Sequence, residues 1–228
     1  MIAFYDLAGK DGRRFSPNCW RTRMALAHKG LEHRAVPVHF SGIAQIADRK
    51  QKTVPVIVDG GIVVADSWKI ANYLEETYPD RPSLFGGAEA RALALFVQSW
   101  TAEVLHRQVI GLILHDIYAQ LDEGDKAYFR ASREKRFART LEEVQSGREA
   151  RVAELRASLQ PFRMVLQSQP WLGGASPRYA DYLIFGAFQW ARMVSGFALL
   201  VSDDIVAEWF ERCLDLFGGL GRRALPAA

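Results

Sequence analysis

The sequence predicts a small α+β domain with the element order β-α-β-α-β-β-α, followed by an all-helical domain. Short β-branched stretches alternate with helical ones up to residue 80, and Asp59-Gly60-Gly61 is a strong hairpin signal. Beyond residue 88 the pattern changes to long amphipathic helices. A chain of 228 residues is long enough for two such parts. We therefore expect domains at 1–80 and 89–228, joined by a proline- and glycine-containing linker at 81–88.

The first domain should contain a mixed sheet, because a parallel βαβ unit precedes an antiparallel hairpin. Strands are predicted where β-branched and aromatic residues cluster, at 2–7, 33–38, 54–58 and 62–65. Helices are predicted at 17–30, 43–49 and 67–78. Pro17 suits a first helical turn, since its φ is fixed and it has no N–H to leave unpaired.

The second domain should consist of helices alone. Apolar residues recur every three or four positions over 89–121, which predicts one long helix. A second long helix is predicted over 140–167, where Pro161 should kink or restart it. Two further helices are predicted at 179–193 and 205–217. The basic stretch 130–139 is interpreted as a solvated helix face.

Composition excludes several classes of function. Lys and Arg total 29 against 26 Asp and Glu, and a net charge of +3 is too small to indicate a nucleic-acid footprint. No apolar run reaches the ~18–20 residues of a membrane span. Two cysteines and five histidines show no metal-ligand spacing. The first residues lack a basic signal region, so we expect a cytoplasmic protein with no metal, nucleic acid or membrane partner.

The first candidate site is the start of the first helix, around Ser16. A helix N-terminus presents unpaired N–H groups and a partial positive charge. A serine hydroxyl there can donate a hydrogen bond to a thiolate, whose thiol normally titrates near ~8.5, and so favour a nucleophile at neutral pH. Alternatively, Ser16 only caps the helix. Asn18 and Cys19 share this turn; Cys19 is either a nucleophile or, as we favour, a small buried residue.

Two further pairs are candidate binding positions. Pro55 opens a buried strand, and a cis Val54–Pro55 bond would leave the N–H and C=O of Val54 open to a ligand. Asp66 and Ser67 begin the last helix of the domain. That helix start can bind a carboxylate while Asp66 binds an ammonium group, as in an amino-acid head group. The alternative is an ordinary cap, with Ser67 at the N-cap position.

Taken together, these three motifs resemble the cytosolic glutathione S-transferase family of the serine type. They occur in the family's order, on a β-α-β-α-β-β-α frame that precedes a helical domain. The resemblance implies a thioredoxin-like first domain and a homodimer. The strings Ser16-Pro17-(x)2-Trp20-Arg21-Thr22 and Tyr78-Pro79-Asp80-Arg81-Pro82 are most similar to the bacterial β-etherase branch and its fungal relatives.

The resemblance also implies roles in binding glutathione as co-substrate. Ser16 corresponds to the residue that holds the glutathione thiolate. The backbone of Val54, ahead of Pro55, corresponds to the contact with the cysteinyl part, and the Asp66-Ser67 pair to the contact with the γ-glutamyl group. Lys52 or Gln45 is the expected contact of the glycyl carboxylate.

The second substrate implied by the family is a small hydrophobic electrophile. In the family, the first long helix of the second domain lines its pocket, so Trp100, Phe96 and Tyr118 are candidate contacts. The alternative is that these aromatic residues belong to the core.

The resulting hypothesis is a glutathione S-transferase. Its alternatives are a glutathione-dependent β-etherase or dehalogenase, a non-catalytic glutathione- or ligand-binding protein, and a thiol oxidoreductase that uses Cys19. One departure from the family concerns Asp181, which usually follows a Ser or Thr by three residues. Here Arg178 occupies that position, so either Ser176 becomes the cap or this helix start is built differently.

Overall fold

The computed structural model describes residues 1–227, and its first part is built on a four-stranded sheet. The strands lie in the order β2-β1-β3-β4, with β1 at Ile2–Leu7, β2 at His33–Val38, β3 at Val56–Asp59 and β4 at Ile62–Ala65. Strand β1 is parallel to β2 and antiparallel to β3, and β3 forms an antiparallel hairpin with β4. The predicted mixed sheet is confirmed.

Helices connect and cover these strands. Helix α1 (Pro17–His28) joins β1 to β2, and α2 (Ser67–Thr77) follows β4. The helix predicted at 43–49 is a 3-10 helix at Phe40–Gln45 instead. Strand β3 begins two residues later than predicted, because Pro55 has no N–H to contribute to the ladder.

The remainder of the described chain is helical. Its α-helices are α3 (Ala88–Trp100), α4 (His106–Ala119), α5 (Glu123–Phe137), α6 (Leu141–Gln145), α7 (Arg148–Ser158), α8 (Gln160–Ser168), α9 (Tyr179–Val194) and α10 (Ile205–Gly219). Nearly every side chain of α9 is buried, so this helix lies at the centre of the helical part. No helix within residues 1–227 has both the length and the apolar character needed to cross a bilayer.

The long helix predicted over 89–121 contains one turn of π-helix, at Thr101–Leu105, between α3 and α4. A π-turn inserts an extra residue, which rotates the following side chains by roughly 100° relative to an uninterrupted α-helix. The face of α3 therefore does not continue in phase along α4.

The prediction of one long helix over 140–167 is wrong, because this segment forms three helices, α6, α7 and α8. Thr140 and Glu143 form a capping box that fixes the start of α6. Gly147 then adopts a left-handed conformation with φ of 67°, which ends the helical path before α7. The predicted restart is confirmed, because Pro161 lies in the first turn of α8.

The unusual start of α9 is organised by the buried carboxylate of Asp181 rather than by Ser176. Arg178 occupies the N-cap position, and its guanidinium donates to the carbonyl oxygen of Ser83. The carboxylate accepts four N–H hydrogen bonds of 2.8–3.1 Å, from the backbone of Leu172, Gly173 and Arg178 and from Nε1 of Trp209. The helix start is thus built differently from the Ser or Thr cap of the family.

The contact between α1 and α9 joins the two parts of the protein. Gly186 of α9 faces the first turn of α1, and a Cβ built there would lie 2.5 Å from the carbonyl oxygen of Pro17. One turn later in α1, the buried guanidinium of Arg21 lies 3.0 Å from Nε2 of His106. The absence of a side chain at Gly186 therefore allows the start of α1 to approach α9 closely.

We predict that Gly186→Ala destabilises the protein by about 1–3 kcal/mol, because the new methyl group must displace backbone atoms in a packed contact. The free energy of unfolding in urea measures this change. Gly124→Ala is the matched control, since Gly124 lies within α5 and a Cβ there would meet nothing within 4 Å. It should stabilise the protein by about 0.5–1 kcal/mol. Equal effects of the two variants would contradict the close-contact argument.

Candidate functional site

A cleft of about 550 Å³ lies between the sheet-containing part and the helical part. The first part contributes Ser16 and Asn18 from the start of α1 and the segment 52–54 ahead of β3. The second part contributes residues of the π-turn, α4, α5 and Trp190 of α9. The cleft thus collects side chains from both parts around the N-terminus of α1.

Ser16 both caps α1 and borders this cleft. Its Oγ accepts a hydrogen bond of 3.3 Å from the backbone N–H of Cys19, which satisfies one of the free donors at the helix start. The side chain is buried, and its own O–H has no acceptor within residues 1–227. The two interpretations of Ser16 are therefore compatible, because the capping oxygen still has a proton to donate.

The two neighbours of Ser16 in this turn differ sharply. Asn18 is half-buried and borders the cleft. Cys19 is only 1% exposed, and burial raises the pKa of its thiol well above the usual value. A buried, protonated thiol is a poor nucleophile. The burial that we favoured for Cys19 is confirmed.

The segment before β3 places a backbone edge and a cation at the cleft. The Val54–Pro55 peptide bond is cis, and Lys52 and Val54 both border the cleft. The side chain of Lys52 is exposed, so its ammonium group is accessible to a ligand. Gln45 is also exposed but does not border the cleft.

The Asp66-Ser67 pair begins α2 beside this segment, and the backbone N–H of Asp66 donates to the carbonyl oxygen of Pro55 at 3.2 Å. The expectation that Ser67 occupies the N-cap position is wrong. Asp66 is the cap, and its carboxylate accepts from the backbone N–H groups of Trp68 and Lys69 at 2.9 and 3.1 Å. Neither side chain of the pair borders the cleft.

The helical wall of the cleft carries cations that the sequence analysis assigned to solvent. Arg133 and Arg136 of α5 border the cleft, so the basic stretch 130–139 is not wholly a solvated face. The Arg133 guanidinium lies 4.7 Å from the ring centroid of Phe129 and 5.5 Å from that of Phe40. Burial lowers the pKa of Arg133, the neighbouring Tyr128 hydroxyl opposes this shift, and the charge of Arg136 adds to it.

This geometry agrees with comparisons to known families. The family model of the glutathione S-transferase C-terminal domain matches residues 92–216, and that of the N-terminal domain matches residues 15–77. The first match alone covers more than half of the chain. The chain belongs to the glutathione S-transferase family.

Full-length similarity is seen to fungal members. A glutathione S-transferase-like protein, ustS, of Aspergillus flavus is 28% identical in an alignment that extends over 227 residues, gaps included. The alignment covers 83% of this chain and 80% of the relative. Glutathione transferase GSTFuA2 of Phanerochaete chrysosporium superposes with a TM-score of 0.83 at 30% identity, covering 100% and 99% of the two chains. CsGST63524 of Ceriporiopsis subvermispora, solved in complex with glutathione, has a TM-score of 0.78 at 27% identity, covering 98% and 94%.

The three aromatic residues predicted to contact the second substrate do not border the cleft of this glutathione S-transferase-like fold. Phe96 is 72% exposed, and Trp100 is half-buried ahead of the π-turn. Tyr118 stacks on His115 and lies 4.6 Å from the guanidinium of Arg130. Because the π-turn lies between Trp100 and Tyr118, Tyr118 does not continue the helical face of Phe96 and Trp100.

His106 is a cleft residue that sequence reasoning missed. Its ring meets Trp190 edge-on at 5.7 Å, and its Nε2 lies 3.0 Å from the guanidinium of Arg21. Burial and the Arg21 charge lower the pKa of His106 to about 3, so the ring is neutral at neutral pH. No sequence pattern signals this arrangement, since Arg21 is 85 positions away. The described residues, 1–227, contain no group of three or more His, Cys, Asp or Glu placed to hold a metal ion.

We predict that the native protein shows almost no thiol reactivity. Both cysteines are free and buried, and burial raises the pKa of each thiol. Titration with an aromatic disulfide reagent should detect two thiols in guanidinium chloride and fewer than about 0.2 per chain under native conditions at pH 7.5 within minutes. The Cys19→Ala variant should show one thiol after denaturation. Fast native labelling that is lost in Cys19→Ala would instead support a reactive Cys19.

Proposed function

We propose that this protein is a glutathione transferase that stabilises the glutathione thiolate for attack on an electrophile. The observation that carries the proposal is Ser16, a buried helix-capping serine that faces the cleft with an unused hydroxyl proton. A thiolate near this position would accept that proton's hydrogen bond and meet the positive end of α1. Both interactions favour the anion over the thiol, which makes the sulfur nucleophilic at neutral pH.

The remaining contacts of glutathione follow the strand and turn beside Ser16. The backbone of Val54 would pair with the cysteinyl residue, and the Asp66-Ser67 turn would hold the γ-glutamyl head group. Lys52 is the favoured contact for the glycyl carboxylate, because it is exposed at the cleft edge whereas Gln45 lies off the cleft. The positive charge of Lys52 attracts the negative glycyl carboxylate, whereas Gln45 carries no charge.

The chemistry requires one bond to form and one to break. The glutathione sulfur forms a C–S bond with the electrophilic carbon, and the leaving group departs with its electron pair. The protein supplies orientation and stabilisation of negative charge. The neutral ring of His106 is too weak a base to compete for the thiol proton.

We predict that Ser16→Ala lowers kcat/KM for conjugation of glutathione to 1-chloro-2,4-dinitrobenzene by about 10- to 100-fold near pH 6.5. Losing the hydroxyl donor raises the pKa of bound glutathione towards the free-thiol value of ~8.5, so the loss should shrink as the pH rises to 9. Steady-state kinetics from pH 6 to 9 measure this shift.

Asn18→Ala and Cys19→Ala serve as comparison variants. Cys19→Ala should keep conjugation activity because its buried thiol takes no part in the reaction. If Ser16→Ala kept full activity and Asn18→Ala lost it, the thiolate contact would belong to Asn18. If Cys19→Ala alone abolished glutathione-dependent disulfide reduction, the thiol oxidoreductase alternative would replace the proposal.

The β-etherase and dehalogenase alternatives share the thiolate step and differ in the leaving group, a phenolate or a halide. A panel of aryl ethers and alkyl and aryl halides, assayed with the same glutathione concentration, separates them. Calorimetric binding of glutathione without turnover of any panel member would support the non-catalytic alternative.

We also propose a homodimer, as the family implies, that covers the outer face of α3, and a cytoplasmic location. Leu93 and Phe96 lie three residues apart on this helix and are 70% and 72% exposed. Exposure of this apolar surface to water is unfavourable in a monomer. Both cysteines are free, which is typical of a reducing compartment.

We predict that Phe96→Ser shifts the mass measured by light scattering at micromolar concentration from about twice 25.6 kDa towards a single chain. Met164→Ser is the control, because Met164 of α8 is 60% exposed but lies off this face. It should leave the mass unchanged. A wild-type chain that runs as a monomer would rule out the dimer.

A further inference from the structure

The cleft carries more positive charge than its own carboxylates balance. Among residues 1–227, the cleft is bordered by Lys52, Arg107, Arg133 and Arg136 and by a single carboxylate, Glu103. Glu103 forms its ion pair with Arg107, four residues further along the chain. The two arginines of α5 therefore face the cleft without a countercharge.

Arg133 has neither a carboxylate nor a backbone carbonyl as hydrogen-bond partner within residues 1–227, whereas the other partly buried arginines of the helical part have one or the other. Arg130, on the same helix, pairs with Glu134 and Glu142, and Arg163 pairs with Asp204. In contrast, neither Arg133 nor Arg136 has a carboxylate within 4 Å in the described part of the chain, and the side chains that Arg133 meets are neutral hydroxyl groups, that of Ser132 at 2.9 Å and that of Tyr128. A partly buried charge without a partner costs stability unless something compensates it.

Stacking gives Arg133 partial compensation and a defined orientation. The rings of Phe129 and Phe40 both lie within 6 Å of the guanidinium, which is the range of cation–π attraction. Such stacking leaves the N–H edge of a guanidinium free to bind an anion. A second unused donor borders the cleft nearby: Nε1 of Trp190 is buried and has no hydrogen-bond partner within residues 1–227.

Bound glutathione, as proposed above, does not account for these cations. Its thiolate is assigned to Ser16 and its glycyl carboxylate to Lys52. Its γ-glutamyl carboxylate is neighboured by its own ammonium group at the Asp66-Ser67 turn. All of these positions lie in the sheet-containing part, whereas Arg133 and Arg136 belong to α5 on the helical side.

We infer that the electrophile carries a carboxylate, which Arg133 and Arg136 hold while its apolar body lies along the aromatic side chains of α5. This inference rests on the proposed transferase function. A planar guanidinium donates two parallel N–H bonds to a carboxylate, and a second arginine adds charge and fixes orientation. Phe129 and the half-exposed ring of Tyr128 supply the apolar contact at the cleft.

A matched pair of substrates tests this inference. 4-Chloro-3-nitrobenzoate and its methyl ester share one reacting carbon; the glutathione sulfur bonds to it and chloride leaves with the electron pair. The readout is the ratio of kcat/KM for the acid to kcat/KM for the ester. We expect Arg133→Gln to lower this ratio by about 10- to 100-fold, since a hydrogen-bonded charge pair is lost. Arg136→Gln, at an exposed position, should lower the ratio in the same direction and tests the inference if Arg133→Gln fails to fold.

Lys135→Gln is the control, because it removes the same charge from an exposed position of α5 that does not border the cleft. An unchanged ratio in both arginine variants would overturn the inference while leaving the transferase function intact. A rise in KM for glutathione that is equal with both substrates would also overturn it, by assigning Arg133 to glutathione. Turnover of neither compound, nor of any neutral electrophile, by the wild-type protein would overturn the function and the inference together.

Discussion

The close approach of α1 to α9 is the constraint on which the site depends. Gly186 lets the first turn of α1 lie against α9, and the buried Arg21–His106 contact fastens the next turn to α4. Because Ser16 caps this same helix, its hydroxyl is positioned by the packing of the helical part as well as by the sheet. The cleft is therefore shaped jointly by the sheet-containing part and the helical part, whose buried residues form one continuous core. A change at the α1–α9 contact should alter chemistry without touching a ligand.

At the N-terminus of α1, the side chain that caps the helix is also the one proposed to bind the thiolate. Capping uses one lone pair of the Ser16 oxygen, and the proton remains for an anion. Pro17 has no N–H, so the first helical position leaves no donor unpaired, and Cys19 is removed from solvent by the core. The polar side chains of this turn that border the cleft are therefore those of Ser16 and Asn18.

Sequence patterns predicted those parts of the fold that depend on residues close together in the chain. The four strands, the hairpin and the start of α1 depend on residue type and turn chemistry, and they were correctly predicted apart from the two ends of β3. The division into α6, α7 and α8 depends on Gly147 and on a capping box that no hydrophobic period reveals. The π-turn has no hydrophobic period of its own either, and it takes Tyr118 off the helical face of Phe96 and Trp100. His106 and Arg133 were missed because their partners in space are remote in sequence.

The positive charge of the cleft also depends on which residues meet in space rather than on which are neighbours in sequence. In sequence, the five basic residues of the stretch 130–139 are accompanied by three nearby acids, Glu134, Glu142 and Glu143, which favours a solvated face. In space, Glu134 and Glu142 are taken by Arg130, whose pairing with two carboxylates leaves Arg133 and Arg136 without either. A net charge of +3 therefore conceals a local excess at one wall of one cleft. Because the dielectric constant is low beside the partly buried Arg133 and its aromatic neighbours, this positive charge attracts an anion more strongly than it would in water. On the inferred function, this positively charged wall would favour electrophiles that carry a carboxylate over neutral ones of the same shape, whatever the leaving group.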